Sequence, residues 1–345
     1  MIKKGFVNIL VDGQWGSTGK GKLAGWLLSH YSEIDTVVSD FMPNAGHTFI
    51  ADTTEKFMFK MLPMGSLFPN VKRVLIGPHA VISKPVLFKE LEIAGRVRQQ
   101  KVPLYIHPFA SVLSYKDKEA ESLNLRHVAS TMQGCAEAQI RKMRRNPDNC
   151  ILAYSDGDLS HFVADTHQLL TKTECTTLIE TSQGFDLSLN AGHSWPFVTS
   201  RDCLLGRFLD NAGAHPRMLG SIIGSIRCHP IRVGNIEGGT SGPCYTDQRE
   251  MVWEEISQMC GKDVREYTSV TKRVRRVFSF SMKQLYRFLR YCQPDYMFMN
   301  FVNYLPDGKD SNWLKFIGKT MMEYSGCQLK LLGTGAKNSE MELLT

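Results

Sequence analysis

The sequence predicts an α/β protein with a central, mostly parallel sheet and flanking helices. Two observations predict it. Short β-type runs, several of them apolar on both faces, alternate with longer amphipathic segments. The first of these runs opens directly into a glycine-rich stretch, Gly13 to Lys22 (GQWGSTGKGK). Strand, glycine-rich turn and helix in that order make a phosphate-binding junction.

Taken in order, Val7 to Val11, Thr36 to Ser39, Val74 to Ile76, Leu104 to Ile106, Thr177 to Ile179 and Tyr296 to Val302 read as strands. Gly19 to Ser29, Pro85 to Gln100, Glu119 to Arg126, Asp247 to Cys260 and Met282 to Tyr291 read as helices. Loops rich in Gly, Asn and Thr fall at Pro43 to Thr48, Gln183 to Thr199 and Gly234 to Gly242. In an α/β fold ligands gather at loops beyond the carboxyl ends of the strands, so these loops are the candidate site. No internal repeat or low-complexity tract interrupts the pattern.

Composition sets the bounds. A chain of 345 residues, 43% hydrophobic and 22% charged, can bury a sizeable core as one large domain or two intimately packed ones. No apolar run approaches the ~20 residues that cross a bilayer, so no membrane partner is expected. Met1-Ile2-Lys3-Lys4 runs straight into the first strand pattern without the segment of a signal peptide. The nine cysteines are scattered, with no CxxC pair, which fits reduced, buried thiols and a cytoplasmic location. A net charge of +7 suits anionic ligands such as nucleotides. Aromatic–basic interleaving is missing, so nucleic acid is not expected as a partner. The basic runs Arg141 to Arg145 and Lys272 to Arg276 each need a second reason before they count as sites.

Gly16 to Lys22 satisfies G-x-x-x-x-G-K, but Leu23 stands where a Walker A loop needs Ser or Thr for Mg²⁺. Its glycines still let backbone N–H groups approach phosphate oxygens, ahead of a helix N-terminus. A bland strand–turn–helix junction is the competing reading. Two further stretches favour the ligand. Asn44-Ala45-Gly46-His47-Thr48 sets a histidine in a small-residue loop after a strand. Thr268 to Arg276 mixes hydroxyls with arginines, whose forks grip carboxylates and phosphates.

In this order, WG-x-x-GKGK, NAGHT, a Q-G…P-F-V-T-S segment and T-x-R-x-RR resemble the adenylosuccinate synthetase family. The resemblance runs from Val7 to Gly333-Thr334-Gly335, covering nearly the whole chain, and implies one unit, 1–345, with that family's P-loop-NTPase-like fold. The family joins aspartate to a purine nucleotide monophosphate. A nucleoside triphosphate phosphorylates the 6-oxygen, the aspartate amine attacks C6, and phosphate leaves. For this chain the resemblance implies Lys20, with Gly16, Thr18, Gly19 and Gly21, on the transferred phosphoryl, and His47 as the general acid. Gly46 offers a carbonyl to Mg²⁺, and Ser17 falls at the family's other metal position; Thr48, Gly333 and Gly335 join the triphosphate's site. Asn44, Ser130, Thr131, Gln183, Thr199 and Val233 fall where the acceptor nucleotide is held. Arg145, or Arg144 if the alignment slips by one, matches an arginine reaching the acceptor phosphate from a partner subunit, which implies a homodimer. Thr271, Arg273 and Arg275 match the loop that closes on aspartate, with Arg275 also near the triphosphate.

The chain departs from the family at two places. The family's loop reads WGDEGKGK, and its aspartate takes the purine N1 proton and holds Mg²⁺. Ser17 and Thr18 stand at the two acidic positions here. One reading is a degraded, inactive homologue, which leaves the retained Lys20, Gly46, His47 and Arg273 unexplained. The other is a changed acceptor: a shorter Ser17 leaves room for the 2-amino group of guanine and can accept a hydrogen bond from it. That resembles the bacteriophage branch of the family, which joins L-aspartate to dGMP on the way to diaminopurine deoxynucleotides. The N1 proton acceptor is then open, either a phosphate oxygen or a water relayed by Ser17.

The second departure is in the strand that reads the energy donor. Phe301 and Asn303 replace the Lys and Asp of a GTP-reading T-K-L-D. An amide suits the edge of adenine, so ATP or dATP is expected; Phe301 either stacks on the base or belongs to the core. The expected activity is therefore a C–N-forming ligase using dGMP, L-aspartate, ATP and Mg²⁺. Ordinary adenylosuccinate synthesis from IMP and a noncatalytic nucleotide-binding module are the alternatives.

Overall fold

A computed structural model describes residues 1–171, 175–268 and 272–344. Among the described residues, nine strands form one sheet. In chain order they are β1 (Val7–Asp12), β2 (Ile34–Ser39), β3 (Arg73–Ile76), β4 (Leu104–Ile106), β5 (Thr176–Glu180), β6 (Leu219–Arg227), β7 (Tyr296–Asn300), β8 (Gln328–Gly333) and β9 (Met341–Leu343). Their spatial order is β9-β8-β7-β6-β1-β5-β2-β3-β4. Every neighbouring pair is parallel except one: β9 closes one edge antiparallel to β8.

Both faces of the sheet are covered, which is why its central strands are apolar throughout. Leu10 of β1 packs with Leu23 and Leu27 of α1 (Lys20–His30), and with Phe41 and Phe49, on one face. Ile9 and Val11 pack with Phe185, Phe208 and Phe288 on the other. Full burial of β1 places its carboxyl end, Asp12, at the centre of the molecule with no exposed surface.

The five expected strands before Tyr296 are present, each within a residue or two of its expected bounds. The expected strand Tyr296 to Val302 stops at Asn300, because Phe301 turns the chain at φ 59° into a 3₁₀ turn, Val302–Tyr304. The expected helix Asp247 to Cys260 is shorter, Trp253–Cys260; Glu250–Met251 instead pairs with Arg276–Phe278. The expected helix Glu119 to Arg126 starts earlier and ends sooner, at Tyr115–Asn124, because Ser114 and Asp117 form a capping box. The strand Leu219–Arg227 and the helices Cys135–Met143, Leu205–Ala212 and Asn312–Ser325 were not expected.

Parallel strands point their carboxyl ends the same way. The loops after β1, β2, β5, β6 and β7 therefore open on one edge of the sheet, and they carry Gly13 to Gly19, Asp40 to Gly46, Gln183, Cys228 and Phe301. A hairpin, His47–Ile50 with Lys56–Phe59, lies against α1.

Candidate active site

The phosphate loop wraps around a carboxylate. Asp12 Oδ1 accepts from the backbone N–H of Gln14 (3.0 Å) and Gly16 (3.2 Å). Its Oδ2 accepts from Thr18 N (3.4 Å), Thr18 Oγ1 (2.6 Å) and Lys20 Nζ (3.1 Å). Gly16 and Gly19 adopt φ 91° and 98°, where glycine carries no steric penalty. Ser17 is exposed at the crest with φ 58°, and its carbonyl accepts from Arg227 Nη1 at 3.2 Å.

The two lysines of GKGK part company at the start of α1. Lys20 faces the loop and also donates to Gln183 O at 2.9 Å. Lys22 donates to Gly335 O (2.8 Å) and Glu340 O (2.7 Å), tying the helix to the chain's C-terminal segment. Burial lowers the Lys22 pKa to about 8.

Two cavities open along this edge and share walls at Trp15, Asn44, Thr131, Gln183, Leu187 and Val233. The first is lined further by Ser130, Thr199, Phe197, Arg232 and the buried Glu121. The second is lined by Gly16 to Lys22, Gly46, His47, Thr48, Arg275, Phe301 and Gly335. The Asn44 and Gln183 amides bond to each other at 3.1 Å where the two cavities meet. Six residues expected around the acceptor nucleotide, Asn44, Ser130, Thr131, Gln183, Thr199 and Val233, thus converge on the first cavity. Ser17 lines the second. Arg145 stands apart, exposed just past the helix Cys135–Met143 with φ 55°.

His47 is 7% exposed and its ring stacks on Phe41 with centroids 3.8 Å apart. Burial, then the charge of Lys20, lowers its pKa to about 3. The imidazole is therefore neutral at pH 7. Its buried Nε2 has no hydrogen-bond partner among the described residues.

Arg273 donates to Gly234 O (3.3 Å) and Ser130 O (3.4 Å), beside the first cavity. Arg275, two residues on, donates to Tyr267 O (3.2 Å) and lines the second. Burial lowers the Arg275 pKa to about 10, which leaves it charged at neutral pH. Thr271 lies outside the described residues. Phe301 lines the second cavity and carries the Arg227 guanidinium 3.9 Å from its ring centroid; Arg227 in turn pairs with Glu266. Asn303 and Gly333 line neither cavity, and the Asn300 side chain occupies the space beside Gly333.

The donor set fits Mg²⁺ in one specific way. Ser17 and Gly46 offer neutral oxygens on the wall of the second cavity, and Asp12, the carboxylate under the loop, already accepts from five donors. No group of three His, Cys, Asp or Glu side chains placed to hold a metal ion occurs among the described residues. Mg²⁺ commonly keeps several waters and takes most of its anionic ligands from substrate phosphates, which suits so weak a protein site.

Sequence reasoning missed Asp12, Trp15, Glu121 and Arg227. Asp12 carried a signal: an acid closing a fully apolar strand immediately before a glycine loop. Arg227 and Glu121 carried none, because they meet the site through contacts distant in the chain.

The family model described as adenylosuccinate synthetase matches residues 9–151 and 150–308. N6-succino-2-amino-2'-deoxyadenylate synthase of Vibrio phage phiVC8 is 40% identical over 98% of each chain. Adenylosuccinate synthetase of Methanococcus vannielii is 31% identical over 80% of this chain and 78% of its own. The structure of cyanophage S-2L succinoaminodeoxyadenylate synthetase, bound to dGMP and to dATP as an energy donor, superposes with a TM-score of 0.86 at 30% identity, covering 99% of this chain and 96% of that one. The chain belongs to the adenylosuccinate synthetase family, among its phage N6-succino-2-amino-2'-deoxyadenylate synthases.

Proposed function

We propose that this ligase joins L-aspartate to C6 of dGMP at the expense of ATP or dATP, releasing phosphate and giving N6-succino-2-amino-2'-deoxyadenylate. The observation that carries the reading is the pair of cavities meeting at Asn44 and Gln183, one walled by the phosphate loop with Lys20, the other by hydroxyls and amides. The phage relatives and the dGMP- and dATP-bound cyanophage structure support it over synthesis from IMP. A noncatalytic module would have no use for the arginines at positions 273 and 275.

In this reading the triphosphate occupies the second cavity, with its base against Phe301 and the phosphates over the Gly16 to Gly21 amides. Gly335, on the wall of that cavity, is the proposed neighbour of the nucleoside, with Asn303 and Gly333 behind the wall. Lys20 and the neutral His47 stabilise charge as the γ-phosphoryl passes to the guanine 6-oxygen, a step governed by positioning and electrostatics. The Ser17 and Gly46 oxygens would hold Mg²⁺, which would supply charge neutralisation. Thr271, Arg273 and Arg275 hold the aspartate carboxylates while its amine attacks C6 and phosphate leaves. Ser130, Thr131 and Thr199 hold the acceptor phosphate, assisted by Arg145 of a second copy in a homodimer. Residues 1–345 act as one unit.

The test is ADP release with ATP, Mg²⁺ and aspartate, comparing dGMP, GMP and IMP. Turnover with dGMP and formation of the succino adduct are expected. Turnover with IMP and none with dGMP would overturn the reading. Substituting GTP for ATP checks the donor: a much faster reaction with GTP would refute the adenine assignment.

A further inference from the structure

The Asp12 carboxylate is 0% exposed, and its place under the phosphate loop is as informative as its charge. It accepts from Gln14 N, Gly16 N, Thr18 N, Thr18 Oγ1 and Lys20 Nζ. An ionised carboxylate has about four lone-pair sites, so this one is saturated. It has no free lone pair with which to take the purine N1 proton. It has room for neither a metal nor a substrate.

The Lys20 ammonium has three N–H donors. One meets Asp12 and one meets the Gln183 carbonyl, and the third, with no partner among the described residues, can serve a ligand. Gln183 belongs to the wall shared by the two cavities. Gly184, the residue after Gln183, also packs on the carboxylate: a Cβ there would come within 2.9 Å of Asp12 Oδ1. One buried group therefore holds both the direction of Lys20 and the fold of the loop.

We propose that Asp12 is the positioning residue for phosphoryl transfer: it aims the remaining Lys20 N–H at the transferred phosphoryl and supplies, beneath the loop, the negative charge that position 17 lacks. The proposal rests on the ligase reading above. Removing one partner of a buried ion pair leaves the other uncompensated.

The test is Asp12→Asn, which keeps the shape and removes the charge. We expect kcat to fall about 100-fold, the scale of one lost buried charge partner. The KM values for dGMP and aspartate should stay within about twofold, because those contacts lie elsewhere. On a Lys20→Met background the same substitution should cost little more, since Asp12 acts through Lys20. A folded Asp12→Asn protein with near-normal kcat, or an equal loss on both backgrounds, overturns the proposal. If Asp12→Asn does not fold, Asp12→Ala is assayed with formate: recovery of rate supports the proposal, and a folded, unrescued protein refutes it.

A readout independent of turnover separates this proposal from the ligase reading. Acetylation of Lys20 by acetic anhydride in the unliganded protein, counted against exposed Lys116, should rise several-fold in Asp12→Asn. An inactive wild type in which the labelling still rises sinks the ligase reading and leaves the Asp12–Lys20 tether standing. An active wild type with unchanged labelling does the reverse.

Discussion

Ser17 is a small residue in a backbone conformation that asparagine, aspartate and glycine adopt most readily. An aspartate can therefore replace it without new backbone strain, and the exchange isolates side-chain chemistry. An anionic side chain there can accept from the 2-amino group but takes more room, and it restores a base for N1. Ser17→Asp should lower kcat/KM for dGMP by about tenfold or more and raise it for IMP, the scale of one mismatched polar contact. An unchanged ratio of the two substrates would show that position 17 does not select the purine. The companion Ser17→Ala removes the hydroxyl: unchanged turnover with dGMP would eliminate a water relay through it and leave a phosphate oxygen as the N1 proton acceptor. Phe301 illustrates the opposite case. Its alternatives were stacking platform or core residue, and it stands at the cavity wall because its left-handed backbone ends β7 one residue before it.

At the scale of elements, Lys20 and His47 depend on how closely α1 approaches its hairpin. Gly21 and Gly25 lie one turn apart on the same face of α1. A Cβ at Gly21 would meet the Thr48 carbonyl at 2.6 Å, and one at Gly25 would meet the Phe49 ring at 2.2 Å. Glycine in a helix interior ordinarily costs about 1 kcal/mol relative to alanine, so exchange for alanine should stabilise a free helix. Here the sign reverses. Gly25→Ala should destabilise by about 1–3 kcal/mol, the usual scale of overpacking, with part of the loss recovered by Phe49→Leu. Gly21→Ala meets backbone that cannot turn aside, so it should also displace His47 and lower kcat. Urea denaturation and kcat together check this, and a Gly21→Ala protein as stable and active as the wild type would refute the packing argument. These contacts also explain what was legible beforehand. Strands such as Val7–Asp12 announce themselves because both faces are buried and apolar. Leu219–Arg227, equally central, does not: Gly220, Ser221, Gly224 and Ser225 dilute its pattern, and Gly224 is required because a Cβ there would meet Met297 Sδ at 2.8 Å. The motif residues of the site were readable from local glycine and hydroxyl patterns, whereas Arg227 joins Ser17 and Phe301 only through the sheet order.

For the whole molecule, buried ionisable groups set how stability changes with pH. Burial lowers the pKa of His47 to about 3 and those of His79, His107, His193 and His229 to about 4. Each is near 6.5 in the unfolded chain. Between those limits the unfolded state binds the extra proton, so these five groups make stability fall as pH drops below about 6.5. Three buried carboxyls oppose them. Desolvation raises Glu90 and Glu180 to about 7 and Asp186 to about 6, so the folded state binds their protons first and stability falls as pH rises through those values. Near pH 7 the two sets are close to balance. Below pH 6 the histidines outnumber the carboxyls and dominate. Asp117, Asp202, Asp247 and Glu266, held below the ordinary carboxylate range by their hydrogen bonds and neighbouring cations, then extend the loss under pH 4. Melting temperature should therefore peak close to neutrality and decline steadily from pH 6 to pH 5, as followed by scanning fluorimetry in buffers of matched ionic strength. A melting temperature that rises toward pH 5 would mean that the carboxyls outweigh the histidines, and that the imidazoles, His47 among them, are not held neutral by the fold.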